Sequence, residues 1–262
     1  HFPGSDALYN SLERRGVKIT RIKSRDGKIV PEDIKNALRP DTKLVALSLV
    51  SMLSGFEYDI KAVCDIAHAN GTPVYADIIQ AAGSLPIDVK QSGLDFAACS
   101  TYKWLMGDFG IGFVFASKNA QSMLNRPGYG SMGFSGAGET KEQDEDGFPK
   151  NAAGLFTLGT RSYIGISILK ESLPYILNIG VDKIHTHSRT MTDMLKEELP
   201  KIGYSLRTPL DSFGPLVVAW KENAREILTP LLNDENIQIS TYNDRIRISP
   251  TYSMIQMILR NY

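Results

Sequence analysis

Short β-branched segments alternate with segments of helical apolar spacing through the first half of the chain. This alternation is typical of βαβ units, which build a largely parallel sheet. The run from Leu44 to Val50 lacks a regular exchange of apolar and polar positions, which is typical of a strand that helices cover on both faces. Five strands are predicted in this half, at residues 17–22, 43–49, 72–77, 94–100 and 112–116.

A helix is predicted between the second and third of these strands, at residues 59–70. Four of its apolar side chains share one helical face: Ile60, Val63, Ile66 and Ala67. Gly71 follows the last apolar position and ends the pattern. A helix of this kind is the crossover that two neighbouring parallel strands require.

The second half of the chain has a different organisation. Residues 125–154 hold closely spaced glycines followed by an acidic stretch, and a loop of that length is typically functional or disordered. Residues 163–199 predict long helical structure with a break near Gly180. A further helix is predicted at residues 224–233, and short strands at residues 205–208, 215–220, 237–241 and 245–249.

These patterns together predict an α/β fold in two parts. A chain of 262 residues is long enough for one large domain or two smaller ones. We expect residues 1–160 to form a large domain around a mostly parallel sheet, and residues 161–262 to form a smaller α+β domain.

Charge and cysteine content narrow the class of protein. The 29 basic and 29 acidic side chains give zero formal charge, so neither nucleic acid nor a charged membrane surface is expected as a partner. Cys64 and Cys99 cannot build a disulfide framework, and no apolar run reaches the roughly 20 residues that span a bilayer. His185 and His187 face different directions on a predicted helix, so no metal site is expected. We expect a cytoplasmic protein.

Polar side chains follow two of the predicted strands at the point where each strand ends. Asp77 ends one strand and Gln80 comes three residues later, while Ser100, Tyr102 and Lys103 end another. The carboxyl ends of parallel strands form the ligand crevice of an open sheet, so these groups are expected to converge. An aldehyde cofactor with a pyridine ring and a phosphate requires an amine, a carboxylate, a donor for the ring oxygen and phosphate ligands, and this set supplies them.

The same residues carry a resemblance to a known family. The motifs Ala-Asp-Ile-Ile-Gln-Ala-Ala-Gly-Ser-Leu-Pro, Ser-Thr-Tyr-Lys-Trp-Leu, Leu-Gly-Thr and Arg-Ile-Arg-Ile-Ser-Pro together resemble the class V aminotransferases. That family holds cysteine desulfurases, selenocysteine lyases, kynureninases and isopenicillin N epimerase-like proteins, all dependent on pyridoxal 5′-phosphate. The resemblance implies the fold type I of pyridoxal-phosphate transferases, an amino-acid substrate and a homodimer.

Roles for the residues around the cofactor ring follow from this resemblance. It implies that Lys103 carries the cofactor and then moves protons, and that Asp77 pairs with the pyridinium nitrogen. A nearby anion keeps that nitrogen protonated at neutral pH, which makes the ring a better acceptor of electrons. Gln80 is expected to hydrogen-bond the ring oxygen.

Further roles concern the cofactor phosphate and the substrate. Ser100 is expected to bind the phosphate, and Tyr102, which stands where cysteine desulfurases usually carry histidine, to reach it as well. Thr160 matches the position that reaches the phosphate of the neighbouring subunit, which implies active sites shared across a dimer. Arg247 is expected to hold the α-carboxylate of the substrate, because a planar guanidinium can grip both oxygens.

Three departures from the family pattern qualify the resemblance. Met52 stands where members often carry asparagine, and residues 237–247 contain no cysteine, so sulfur abstraction through an enzyme persulfide is not expected. The chain begins with His1, which matches an internal position in the sequences of full-length relatives. We therefore expect a fragment that lacks an N-terminal phosphate-binding segment.

The function predicted from the sequence is that of a pyridoxal-phosphate enzyme acting on an amino acid through its external aldimine, as a lyase, an epimerase or a transaminase. An alternative is a catalytically incompetent remnant that serves dimerisation or binding. A weaker alternative is a nucleotide-dependent oxidoreductase, since residues 128–133 match G-x-G-x-x-G; that match follows no predicted strand.

Overall fold

The structure is a computed structural model, and it describes residues 2–130, 152–156, 158–235 and 237–251. Its first sheet contains four strands in the order β1-β2-β3-β4. The first three are parallel, and β4 runs antiparallel to β3, so the predicted mostly parallel sheet is confirmed. The strands are β1 (Val45–Ser48), β2 (Val74–Asp77), β3 (Phe96–Ser100) and β4 (Gly112–Ala116).

Three helices belong to the same half: α1 (Pro3–Arg14), α2 (Pro31–Ala37) and α3 (Ile60–Ala69). Helix α3 is the predicted crossover between β1 and β2. It begins after Asp59, whose side chain accepts a hydrogen bond of 3.0 Å from the backbone N–H of Ala62. The chain leaves the helix through Gly71, whose φ of +72° lies in the left-handed region that favours glycine.

The second half contains a short helix α4 (Ala152–Leu155), two long helices, α5 (Tyr163–Ile179) and α6 (Val181–Lys201), and a helix α7 (Ala224–Asp234). Helices α5 and α6 meet at Gly180 with a bend of 73°, which confirms the predicted break. In the described part of the chain no single helix is long and apolar enough to cross a membrane; the bent pair of α5 and α6 passes that test only when its two helices are taken together.

The second sheet is antiparallel and has the order β5-β6-β8-β7. Its strands are β5 (Ser205–Leu206), β6 (Val217–Trp220), β7 (Ser240–Thr241) and β8 (Arg245–Ile248). One face packs on α6 through a small apolar cluster that includes Leu195, Val217 and Ile246. The opposite face joins the core of the first half through Val218.

One strand prediction was wrong. Residues 17–22 form no strand, because the segment pairs with no neighbouring strand. Side chains hold it instead: Arg21 bonds Glu13 at 2.9 Å, and Arg39 bonds the Thr20 hydroxyl at 2.8 Å. The strands predicted at residues 205–208 and 237–241 are present but shorter, at Ser205–Leu206 and Ser240–Thr241. Most of the predicted glycine-rich and acidic loop lies outside the described residues, and the domain boundary near residue 160 stays a prediction.

The two faces of the first sheet differ. Leu47, Ala76 and Ala97 lie in register across three strands and are buried in the main apolar core, to which α3 contributes Val63 and Ala67. Ser48, Asp77 and Ala98 lie in register on the opposite face and are only partly buried. This second face positions the candidate site.

Candidate active site

A cavity of about 800 Å³ lies along the less buried face of the first sheet. Ser48, Ala98 and Val114 form part of its floor. The structure also brings five of the sequence-predicted residues to this one cavity: Asp77, Gln80, Ser100, Tyr102 and Lys103. They converge because β2 and β3 are adjacent and parallel, so that their carboxyl ends meet at one edge.

Asp77 is fixed by the strand that it ends. Its backbone carbonyl accepts a hydrogen bond of 2.9 Å from Leu49, and its carboxylate accepts one of 3.0 Å from the backbone N–H of Ile79. The second bond is a local turn in which an aspartate side chain caps the backbone two residues later. It fixes the carboxylate beside the cavity, on the same side as Lys103.

Gln80 and Ser100 offer polar groups to the cavity. The Gln80 residue is only 7% exposed, and neither its amide nor the Ser100 hydroxyl has a hydrogen-bond partner among the described residues. Gln80 is a buried residue, and buried polar groups in proteins are nearly always paired with protein, water or ligand. Ser100 is exposed, so its hydroxyl is open to solvent and to the cavity. Both groups are therefore available to a polar ligand.

The loop that carries Lys103 is held tightly by its neighbours. The Thr101 hydroxyl lies 3.2 Å from the carbonyl of Asp108 and 3.1 Å from that of Ile111, which closes the loop behind Lys103. A Cβ at Gly107 would lie 2.5 Å from the Thr101 side chain, so only glycine permits this approach. The backbone of Lys103 is therefore fixed, while its side chain reaches the cavity.

The surroundings of Lys103 shift its amine towards the neutral form. Burial lowers the pKa of the Lys103 amine, and the positive charge of Arg247 lowers it further, while Asp77 and Cys99 act in the opposite direction. A lowered pKa leaves more of the amine unprotonated at neutral pH, which is the form that attacks a carbonyl.

Cys99 also lines the cavity but is unsuited to nucleophilic chemistry. Burial raises the pKa of its thiol to about 12, and the negative charge of Asp77 contributes to the rise. The thiol is therefore protonated at neutral pH, whereas thiol nucleophiles act as thiolates. Cys64, the other cysteine, is fully buried in α3, and burial raises its pKa to about 12 as well.

Tyr102 lies at the rim of the cavity and is 40% exposed. Its ring stacks on Phe109, with centroids 4.9 Å apart and an angle of 21° between the planes. Stacking limits the positions that the phenol can adopt while leaving its hydroxyl accessible.

Arg247 and Thr160 lie outside the wall of this cavity in the single chain. Arg247 extends from β8, where its guanidinium donates a hydrogen bond of 3.0 Å to the Ser240 hydroxyl. The positive charge of Arg247 lowers the pKa of the Lys103 amine. Thr160 is exposed. The roles of both residues stay predictions.

Sequence reasoning missed the apolar and aromatic part of the wall, which includes Phe2, Tyr75 and Phe113. A usable signal existed for Tyr75, since it precedes Asp77 by two positions on a strand and so shares its face. Burial raises the pKa of the Tyr75 phenol, and the carboxylate of Asp77 adds to the rise.

Comparison with known proteins places this architecture in a family. The family described as aminotransferase class-V matches residues 7–246. A probable cysteine desulfurase of Methanothermobacter thermautotrophicus is 31% identical over 73% of this chain and 47% of its own length. A kynureninase of Geobacillus thermodenitrificans is 31% identical over 84% of this chain and 54% of its own.

A solved structure gives the same answer for the fold. The apo cysteine desulfurase of Thermococcus onnurineus superposes with a TM-score of 0.82 at 23% identity, over 94% of this chain and 65% of that one. The chain spans about half the length of the two curated relatives. It belongs to the class V aminotransferase family of pyridoxal-phosphate enzymes, which confirms the expected family, fold type and cofactor.

The residues present fit this cofactor. The cavity offers an amine of lowered pKa, a carboxylate on the same wall, and two polar groups without partners among the described residues. These are the groups that a phosphorylated pyridine aldehyde requires.

Proposed function

We propose that this chain carries the lysine-bearing part of a class V pyridoxal-phosphate active site and acts on an amino acid. The observation that carries the proposal is that Lys103 and Asp77 line one cavity together with the open polar groups of Gln80 and Ser100. The family and its amine chemistry support it.

Each residue has a defined task in this proposal. Pyridoxal phosphate, when bound, supplies an electron sink for the negative charge left when a bond at the α-carbon of an amino acid breaks. The Asp77 carboxylate holds a proton on the ring nitrogen, and the Gln80 amide binds the ring oxygen. Ser100 and Tyr102 bind the phosphate. Lys103 holds the cofactor and moves a proton with its Nζ atom, for which a lowered pKa suits it.

Arg247 is proposed to bind the α-carboxylate of the substrate. Its neighbour on the same strand face, Arg245, is paired with Asp244 at 2.9 Å. Arg247 has no carboxylate within ion-pair distance among the described residues, and its one hydrogen bond goes to the neutral hydroxyl of Ser240. A guanidinium without an anion is available to a carboxylate ligand.

We propose a homodimer with shared active sites. Helix α5 begins just after the exposed Thr160, and one of its faces carries exposed apolar side chains at helical spacing: Ile164 at 74%, Ile168, and Tyr175 at 53%. A contiguous apolar surface of this kind is typical of a protein interface. A second copy docked on this face would lie close to Thr160, as the proposed role of Thr160 at the neighbouring site requires.

The reaction type is proposed to be that of a lyase, an epimerase or a transaminase. The relatives are named for different reactions, cysteine desulfurase and kynureninase. The cofactor does the bond breaking, and the groups above its ring select the bond. The absence of cysteine from residues 237–247 argues against a persulfide route. A cytoplasmic location stays a prediction from composition.

Absorption spectroscopy tests the proposal. Pyridoxal phosphate added to the full chain should show a visible absorption band that differs from that of the free cofactor. The Lys103→Ala variant should lose this band, whereas Lys90→Ala, which removes an exposed lysine, should keep it. An identical spectrum in Lys103→Ala and the unmodified chain would remove Lys103 from the role.

A further inference from the structure

A tight turn at residues 51–57 forms part of the cavity wall. Val50, just before the turn, and Met52, its second residue, both line the cavity. The backbone N–H of Gly55 donates to the carbonyl of Ser51 at 2.7 Å, and Gly55 has a φ of +69°. A Cβ at Gly55 would lie 2.3 Å from the carbonyl of Leu216, so the turn touches the segment that leads into β6.

Ser212 holds this turn from the opposite half of the chain. Its hydroxyl donates to the carbonyl of Gly55 at 2.8 Å and accepts from the backbone N–H of Glu57 at 3.2 Å. The residue is 3% exposed. No other acceptor of the Glu57 N–H lies among the described residues. One buried hydroxyl therefore satisfies two backbone groups of the turn.

A buried lysine fixes Ser212 in turn. Lys196, on α6, is 5% exposed and donates to the Ser212 carbonyl at 2.9 Å and to the Leu210 carbonyl at 3.2 Å. The carboxylate of Asp193 lies 2.7 Å from the same amine and balances its charge. The ammonium thus has three acceptors, which is what a buried lysine requires.

We propose that Ser212 is a positioning residue of the active site, which holds Met52 in the cavity wall by clamping the 51–57 turn. That this wall belongs to an active site rests on the function proposed above, whereas the clamp rests on the hydrogen bonds of Ser212 alone. Removing the hydroxyl takes this partner from the buried Gly55 carbonyl and from the half-buried Glu57 N–H. A buried polar group left unpaired costs more free energy than its hydrogen bond contributes. The turn then reaches water by moving away from the β6 segment, and Met52 moves with it.

The accessibility of position 52 tests the clamp. A Met52→Cys variant places a thiol on the wall, while burial raises the pKa of Cys64 and Cys99 to about 12 and keeps both slow to react. We would measure its reaction with a disulfide reagent in the full chain, with and without pyridoxal phosphate. Adding Ser212→Ala should accelerate the reaction about fivefold or more, the size expected for one lost hydrogen bond.

Ser188→Ala is the matched control. Ser188 is fully buried on α6, and its hydroxyl has no hydrogen-bond partner among the described residues. Added to Met52→Cys, it should leave the thiol rate unchanged. Equal rates in the Ser212→Ala and Ser188→Ala backgrounds would overturn the proposal, whatever the cofactor experiments show.

Two further measurements complete the test. The first needs no Ser212→Ala variant, and the second distinguishes a positioning role of Ser212 from a general effect on stability. Hydrogen exchange on the unmodified chain should show the Glu57 amide protected, and exchange at the rate of an open amide would contradict the clamp. With pyridoxal phosphate bound, Ser212→Ala should weaken the spectral response to L-alanine about fivefold, while the cofactor stays on Lys103. Weakening of cofactor attachment and of the alanine response to the same extent would indicate a structural role only and overturn the assignment.

Discussion

The carboxyl edge of the first sheet and the β8 strand of the second sheet both carry predicted site residues, but only those at the carboxyl edge line the cavity. Asp77 and Lys103 reach one cavity because they follow two adjacent parallel strands. Arg247 lies on β8, outside the wall of that cavity, and acts on it through its charge. Neighbouring strands fix the first pair locally, whereas the position of Arg247 depends on how the second half of the chain packs on the first.

The largest effect is expected at the carboxyl edge of the first sheet, on the rate of α-proton exchange. Asp77→Asn removes the anion that holds the ring proton, and we expect α-proton exchange of L-amino acids to slow about a hundredfold or more, the scale for loss of one preorganised electrostatic partner. Proton exchange into deuterium oxide, followed by NMR over a panel of amino acids, measures this. Asp65→Asn, which removes an exposed carboxylate paired with Lys61, should leave the rate unchanged. Equal rates in the two variants would exclude Asp77 from the site.

A smaller effect is expected in the second region. Arg247→Ala should weaken binding of the same amino acids at least about tenfold, because hydrogen bonds to a charged group contribute on the order of 1.5–3 kcal/mol. Titration of the cofactor absorbance gives the affinity. Arg247→Lys should recover little, since an ammonium lacks the fork of the guanidinium. Arg245→Ala is the matched control because Asp244 already pairs with Arg245; an equal loss there would place the carboxylate elsewhere.

The smallest effect measures the electrostatic link between the regions. In the chain without cofactor, Arg247→Ala should raise the pKa of Lys103, because a neighbouring positive charge is removed. Asp77→Asn should lower the pKa of Lys103 below its value in the unmodified chain, because a neighbouring negative charge is removed. At a fixed mildly alkaline pH the first variant labels Lys103 more slowly with an amine reagent, and the second more rapidly. The pH profile of labelling, with Lys90 as internal reference, reports both shifts. A shift of the same sign in both variants would contradict the arrangement.

The elements that sequence reasoning predicted well are those with local causes. The crossover helix begins at an aspartate cap and ends at a glycine, and both signals are readable in the sequence. The grouping of Asp77, Gln80 and Lys103 follows from the ends of adjacent parallel strands. The segment 17–22 failed because β-branched residues predict extended backbone but cannot supply a neighbouring strand.

Contacts between distant parts of the chain could not be predicted. The bond from Glu57 to Ser212 joins residues 155 positions apart, and nothing in either local sequence indicates it. The apolar wall at Phe2 and Phe113 likewise depends on which face of the sheet the core covers. Hydrophobic patterning gives the alternation of faces but does not say which one packs against helices.

Lys103 is proposed to be the residue that binds the cofactor. Pyridoxal phosphate would be added to the full chain, the adduct reduced with borohydride, and the protein digested for peptide mass spectrometry. We expect the added mass to lie on the peptide containing Lys103 and to be absent from the Lys103→Ala variant. A label on another lysine, or a chain that remains unlabelled, would contradict it.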